Sequence, residues 1–109
     1  MTFKFNNNNN EKENDMENEI KVLKLVTGEE IITRMTDGED GLLLLENPMT
    51  VQQVQPDASG KVGVALVSWS FAGKTEQITL PAKHVLVTLE PTAGMIINYS
   101  SAIDYETSR

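Results

Sequence analysis

From Ile20 onward the apolar residues come in short runs, and each run is closed by residues that turn a chain. "IKVLKLVTG" stops at Gly28, and "EEIITRMTDG" stops at Asp37-Gly38. "LLLLENPMTVQQVQPD" ends in Pro56 and the "DASG" cluster. "KVGVALVSWSF" and "TEQITL" are separated by Ala72-Gly73-Lys74, and "HVLVTLE" closes on Pro91. The runs are rich in β-branched residues, and most are too short for a helix. Short apolar segments bounded by Gly, Pro, Asn and Asp predict antiparallel β-structure.

The chain end reads differently. After Pro91 the apolar residues fall at Met95, Ile96, Tyr99, Ala102 and Ile103, which is one stripe at helical spacing. Pro91 and Thr92 both suit a helix start, so a helix is expected over about 92–106. At the other end, residues 1–18 carry five consecutive asparagines and then acids, with almost nothing to bury. That composition predicts a disordered polar tail ahead of a single domain at 19–109, although Glu and Lys in "EKENDMENEI" also favour a short helix. Because the ordered pattern starts only at Ile20, Met16 is an alternative start. Five or six short strands with one helix are expected to form a small, strongly bent sheet that curls on itself. Strand edges left open by such a sheet invite pairing with another copy.

Composition narrows the function classes. The chain carries 9 Lys plus Arg against 16 Asp plus Glu, a net charge of −7, and its bases are scattered. General binding to a phosphate backbone, which needs clustered cations, is disfavoured, whereas a small local site is not. There is no cysteine and one histidine, so disulfides, thiolate chemistry and a His-based metal site are not expected. No Gly-rich phosphate loop, nucleophile elbow or nucleophile–base pair is present, and neither an enzyme nor a cofactor is expected. No apolar run spans a bilayer and the N-terminus lacks an apolar signal core, so the expectation is a cytoplasmic protein without a membrane partner.

The stretch "KLVTGEEIITRMTDGEDGLLLLENPMTV" resembles the first conserved segment of the Sm and LSm-like proteins. With the "LENPM" element, Trp69 and Phe71, "TLPAKHVLVTLEP" and a Tyr-containing final helix, the likeness covers Val22 to Tyr105. It is closest to the Sm-like proteins of T4-like phages of marine cyanobacteria. The resemblance implies a five-stranded, strongly bent antiparallel open barrel. It also implies a homo-oligomeric ring of the pentamer-to-octamer range, built by edge-strand pairing. The chain departs from the usual pattern in carrying its convincing helix at the C-terminus.

In RNA-binding members one loop supplies an Asp/Asn pair and another an Arg-Gly pair around a uridine pocket. The resemblance places the first loop at Glu46-Asn47-Pro48-Met49 and the second near Leu80-Pro81-Ala82-Lys83-His84, where no Arg-Gly occurs. Glu46, Asn47, Met49, Lys83 and His84 are thus the candidate RNA-binding residues, Asn47 for a base edge and Lys83 or His84 for a phosphate. Each has a plainer alternative. Asn47-Pro48 suits a bend or bulge, and Lys83-His84 suits a polar turn before a strand. Trp69 and Phe71 suit packing better than base stacking. The acids Glu29, Glu30, Asp37, Glu39 and Asp40 suit a solvated rim, because their spacing matches no calcium loop. Two functions remain open: a ring that holds single-stranded RNA, and an adaptor ring that binds proteins without nucleic acid.

Overall fold

A computed structural model of the chain describes residues 19–56, 58–60, 63–70 and 72–107. The polar segment 1–18, with Met16, and Phe71 lie outside them. The described chain runs β1 (Glu19–Leu25), β2 (Glu30–Asp37), β3 (Leu42–Val54), β4 (Gly63–Ser68), β5 (Ile78–Pro81), a 3-10 turn (Ala82–His84), β6 (Val85–Leu89) and a C-terminal helix α1 (Ala93–Thr107).

All pairings among these strands are antiparallel. The sheet order is β4-β3-β2-β1-β6, and β5 pairs with β3 alone. Strand β3, 13 residues long, is the spine. One of its edges lies along β2 from Leu43 to Thr50. On the other edge its first half, Leu42 to Leu45, pairs with β5, and its second half, Met49 to Val54, pairs with β4. The four leucines therefore alternate as a strand does: Leu43 and Leu45 are buried, while Leu42 and Leu44 face outward.

The sheet carries an apolar cluster on each face. Leu23, Leu25, Ile31, Leu43 and Leu45 form the inner one, with Trp69, Ile78, Leu80 and Val85 packed against it. Val22, Ile32, Met49 and Tyr99 form the other, joined by Met95, Ala102 and Ile103 of α1. Neighbouring pairs such as Val22/Leu23 and Ile31/Ile32 split between the clusters because successive strand residues point to opposite faces. This explains why the runs read as apolar pairs rather than strict alternation: both faces are covered.

Leu45 and Met49 break that rule. Four residues apart, they should share a face, yet they lie in opposite clusters. The register explains it. Ile32 faces Met49 and Arg34 faces Glu46, so three steps on β3 match two on β2. The extra residue is a β-bulge, which bends the strand and reverses its alternation. Asn47 takes the left-handed φ of +51° there. Pro48, fully buried, sits where the bulge tolerates a residue with no N–H to donate.

Two turns set the strand ends. Gly28 (φ +100°) closes the β1–β2 turn, with its N–H on the Leu25 carbonyl. Asp40 and Gly41, both at positive φ, close the β2–β3 turn, where the Gly38 N–H donates to Leu42 O at 2.9 Å. Helix α1 starts on Thr92, whose hydroxyl accepts the Met95 N–H at 3.2 Å as an N-cap. Ile96 was expected in the apolar stripe; it is 38% exposed and faces away from the sheet, so the buried stripe is Met95, Tyr99, Ala102 and Ile103.

Candidate nucleic-acid interface

The candidate residues divide into two places. Lys83 and His84 are exposed on the 3-10 turn that links β5 to β6. Two backbone hydrogen bonds hold this turn. Ala82 N–H donates to Gly41 O at 2.8 Å, and Val26 N–H donates to His84 O at 2.8 Å. The turn is thereby fixed between the β1–β2 turn and the β2–β3 turn. Asp37, Glu39 and Asp40 of the latter are exposed. Two basic side chains and three carboxylates thus meet at one end of the barrel.

Glu46, Asn47 and Met49 lie elsewhere. They sit in and beside the bulge of β3, beyond the last β5 pairing at Leu45–Ile78. Lys83 follows Pro81, which pairs with Leu42 at the other end of that ladder. At about 3.3 Å per residue, the five steps from Leu42 to Asn47 separate the two groups by roughly 15 Å. Neither of the two clefts lined by Asn47 is also lined by Lys83. The polar loop entering the third strand is Gly38–Gly41, not Glu46–Met49. The pattern Asp37-Gly38 followed by Asp40-Gly41 directly before the leucines is the signal that marks it.

Met49 is 3% exposed and belongs to the cluster under α1. Glu46 and Asn47 are half-buried, and both of their carbonyls accept hydrogen bonds. Tyr99 Oη lies 3.0 Å from Glu46 O and 2.9 Å from Asn47 O, donating to both carbonyls. Thr33 Oγ1 donates to Glu46 O at 3.0 Å. Asn47 N–H donates to Thr75 O at 3.0 Å, and Trp69 N–H donates to Pro48 O at 3.3 Å. Tyr99, which the helical stripe marked only as apolar, is 1% exposed. Burial pushes its phenol up to about 12, partly offset by a hydrogen bond with the Arg34 main chain.

A cleft of about 190 Å³ opens over the bulge, between Asn47, Pro48, Met49, Ser68, Thr75, Glu76 and Ile103. A smaller one of about 100 Å³ adjoins it across Asn47, beside Arg34, Ser100 and Asp104. Neither holds Lys83 or His84. Trp69 is partly buried against the inner cluster and its Nε1 donates to Glu29 Oε2 at 3.2 Å. That bond ties the end of β4 to the β1–β2 turn.

The bent six-stranded sheet, its long spine strand and the paired turns match a known pattern, and a family model for the Sm_like domain fits residues 22–100. The chain belongs to the Sm-like family. No curated protein matches this Sm-like chain as a relative. Its helix follows the barrel in sequence and covers the outer cluster through Met95, Tyr99, Ala102 and Ile103. Among the described residues no helix is long and apolar enough to cross a membrane.

Proposed function

We propose that the protein is a non-enzymatic, cytoplasmic ring former. Copies pair the outer edge of β4 with the outer edge of β6 of the next copy. The ring then holds single-stranded RNA at the turns Gly38–Gly41 and Ala82–His84. The carrying observation is the Ala82–Gly41 hydrogen bond, which sets an exposed Lys83 and His84 beside the loop that enters the third strand. In the ring these turns would repeat at the same end of every copy, so weak single sites would add along one strand. The likeness to cyanophage Sm-like proteins supports a phage origin, with host or phage RNA as the ligand.

The edges support the assembly. Among the described residues, neither the outer edge of β4 nor that of β6 is paired. Both carry exposed apolar side chains, Val64 on β4 and Leu86, Val87 and Leu89 on β6, with Leu86 at 70% exposure. An unpaired apolar edge is an aggregation hazard in a monomer, and a closed ring removes it.

A second reading is an adaptor ring that binds proteins alone. The carboxylates Asp37, Glu39 and Asp40 beside Lys83, within a net charge of −7, favour it. So does the missing aromatic at the turns, since stacking supplies much of single-strand affinity. Binding of labelled oligo(U), oligo(A) and single-stranded DNA at low and physiological salt separates the two. The RNA reading expects oligo(U) or oligo(A) to bind at low salt, more weakly at higher salt, and not to the Lys83→Ala/His84→Ala variant. No binding at low salt leaves the adaptor reading. Binding that survives the double substitution but is lost in Asn47→Ala moves the site to the bulge.

A further inference from the structure

We infer that the cleft over the β3 bulge selects a base of the bound strand: it takes adenine or cytosine, whose exocyclic amine donates to Glu76, in preference to uracil. This rests on the RNA reading above and deepens it. The turns at the barrel end supply affinity for any strand, and the cleft supplies the choice of sequence.

The cleft is complete within one copy. The bulge itself sets Glu76 on its rim, because Asn47 N–H lies 3.0 Å from Thr75 O and 3.3 Å from Glu76 O. Glu76 is exposed, and it is the single charged group lining the cleft. Ser68, at the end of β4, lines it as well. The Ser68 hydroxyl proton is already committed to Ser70 O at 3.0 Å, which leaves its lone pairs to accept. The Asn47 amide both donates and accepts, and it borders the larger and the smaller cleft alike. The site is therefore rich in acceptors and carries one negative charge.

That chemistry excludes a phosphate and favours a neutral donor. The adjoining cleft does not change the balance, since Arg34 and Asp104 bring one charge of each sign. A volume of about 190 Å³ is the room of about six waters at ~30 Å³ each, enough for one heterocycle and below the ~300 Å³ of a site for a larger ligand. Pro48 and Met49 are almost wholly buried beneath it, so Ile103 of α1 is the apolar side chain that meets the flat face of a base. Splayed bases of single strands are read along their edges by such groups. Adenine and cytosine carry an amine beside an acceptor ring nitrogen. The amine donates to the Glu76 carboxylate, and the Asn47 amide N–H donates to the ring nitrogen. Uracil has no amine, and its carbonyl oxygen would face the carboxylate unpaired.

The test is anisotropy of labelled oligo(A), oligo(C) and oligo(U) of equal length with the full chain, at low and physiological salt. Oligo(A) and oligo(C) are expected to bind at least about fivefold tighter than oligo(U). That ratio should hold as salt rises while every affinity falls, because the phosphate contacts are common to all three. Glu76→Gln keeps the size of an exposed side chain and gains an amide N–H that suits a uracil carbonyl. Asn47→Gly removes the amide at a backbone position glycine adopts freely. Both variants are expected to bring the ratio close to one with oligo(U) affinity kept or raised, and melts check that they fold. Equal affinities or a preference for oligo(U) in the wild type, or a ratio unchanged in both variants, overturn the inference and leave the RNA reading standing. A preference that fades as salt rises overturns it too, since it then comes from the phosphates. Absence of all binding at low salt overturns the RNA reading and this inference with it.

Discussion

Asn47 holds a φ of +51°, a region where a Cβ crowds the neighbouring carbonyl and which asparagine tolerates better than most residues. Asn47→Ala is expected to lower stability by about 1 kcal/mol, whereas Asn47→Gly should stay within a few tenths of a kcal/mol of the parent, by chemical denaturation. Equal losses for both would place the importance of Asn47 in its amide rather than its backbone. Tyr99 acts two residues wide on the same bend. Tyr99→Phe leaves Asn47 O without a side-chain donor and should cost about 1–3 kcal/mol. Its pH dependence has a definite sign. The phenol is raised from 10.0 to about 12 in the fold, so the folded state keeps a proton that the unfolded chain releases. The stability difference between wild type and Tyr99→Phe should be constant below pH 10 and shrink between pH 10 and 12. A difference that grows in that window would contradict the buried hydroxyl donor. Met49, deep in the cluster under α1, should behave as core: Met49→Ala is expected to cost about 2–5 kcal/mol and to leave oligonucleotide affinity per folded molecule unchanged.

At the scale of elements, the Thr92 cap is separable from the packing of α1. Thr92→Ala should lower the melting temperature by the equivalent of about 1 kcal/mol, while circular dichroism still shows the helix, because Tyr99 and its neighbours hold it to the sheet. The strands and this helix were legible because their limits are local. Gly28, Asp37-Gly38, Pro56 and Thr92 act on their own neighbours, and alternation at Leu42 to Leu45 follows from strand geometry alone. The bulge was legible only as a bend at Asn47-Pro48. Its consequence, the transfer of Met49 to the opposite face, depends on counting β3 against β2, which no single segment contains. The spatial neighbours of the candidate residues were not legible for a related reason. Lys83 and His84 could be named from their own turn, but the partner of that turn is fixed by the Ala82–Gly41 bond, between segments distant in the chain. Ile96 satisfied the helical stripe yet faces outward, because the sheet under α1 is covered by one narrow row of side chains.

For the whole molecule, the proposed ring rests on the two open edges rather than on any single cavity. The barrel buries its inner cluster without help, and α1 covers the outer one, so the exposed apolar residues concentrate at the outer strands and the outward face of α1. Substituting Leu86→Lys puts a charge on the most exposed large apolar side chain of β6 and should convert the assembly to smaller species without unfolding the barrel. Light scattering on the eluting full-length chain reads the decisive quantity, its mass in solution. A single species whose mass is a whole multiple of 12.1 kDa, lost in Leu86→Lys, is the outcome expected of a ring closed by β4–β6 pairing. A stable folded monomer, with both apolar edges open to water, would contradict it.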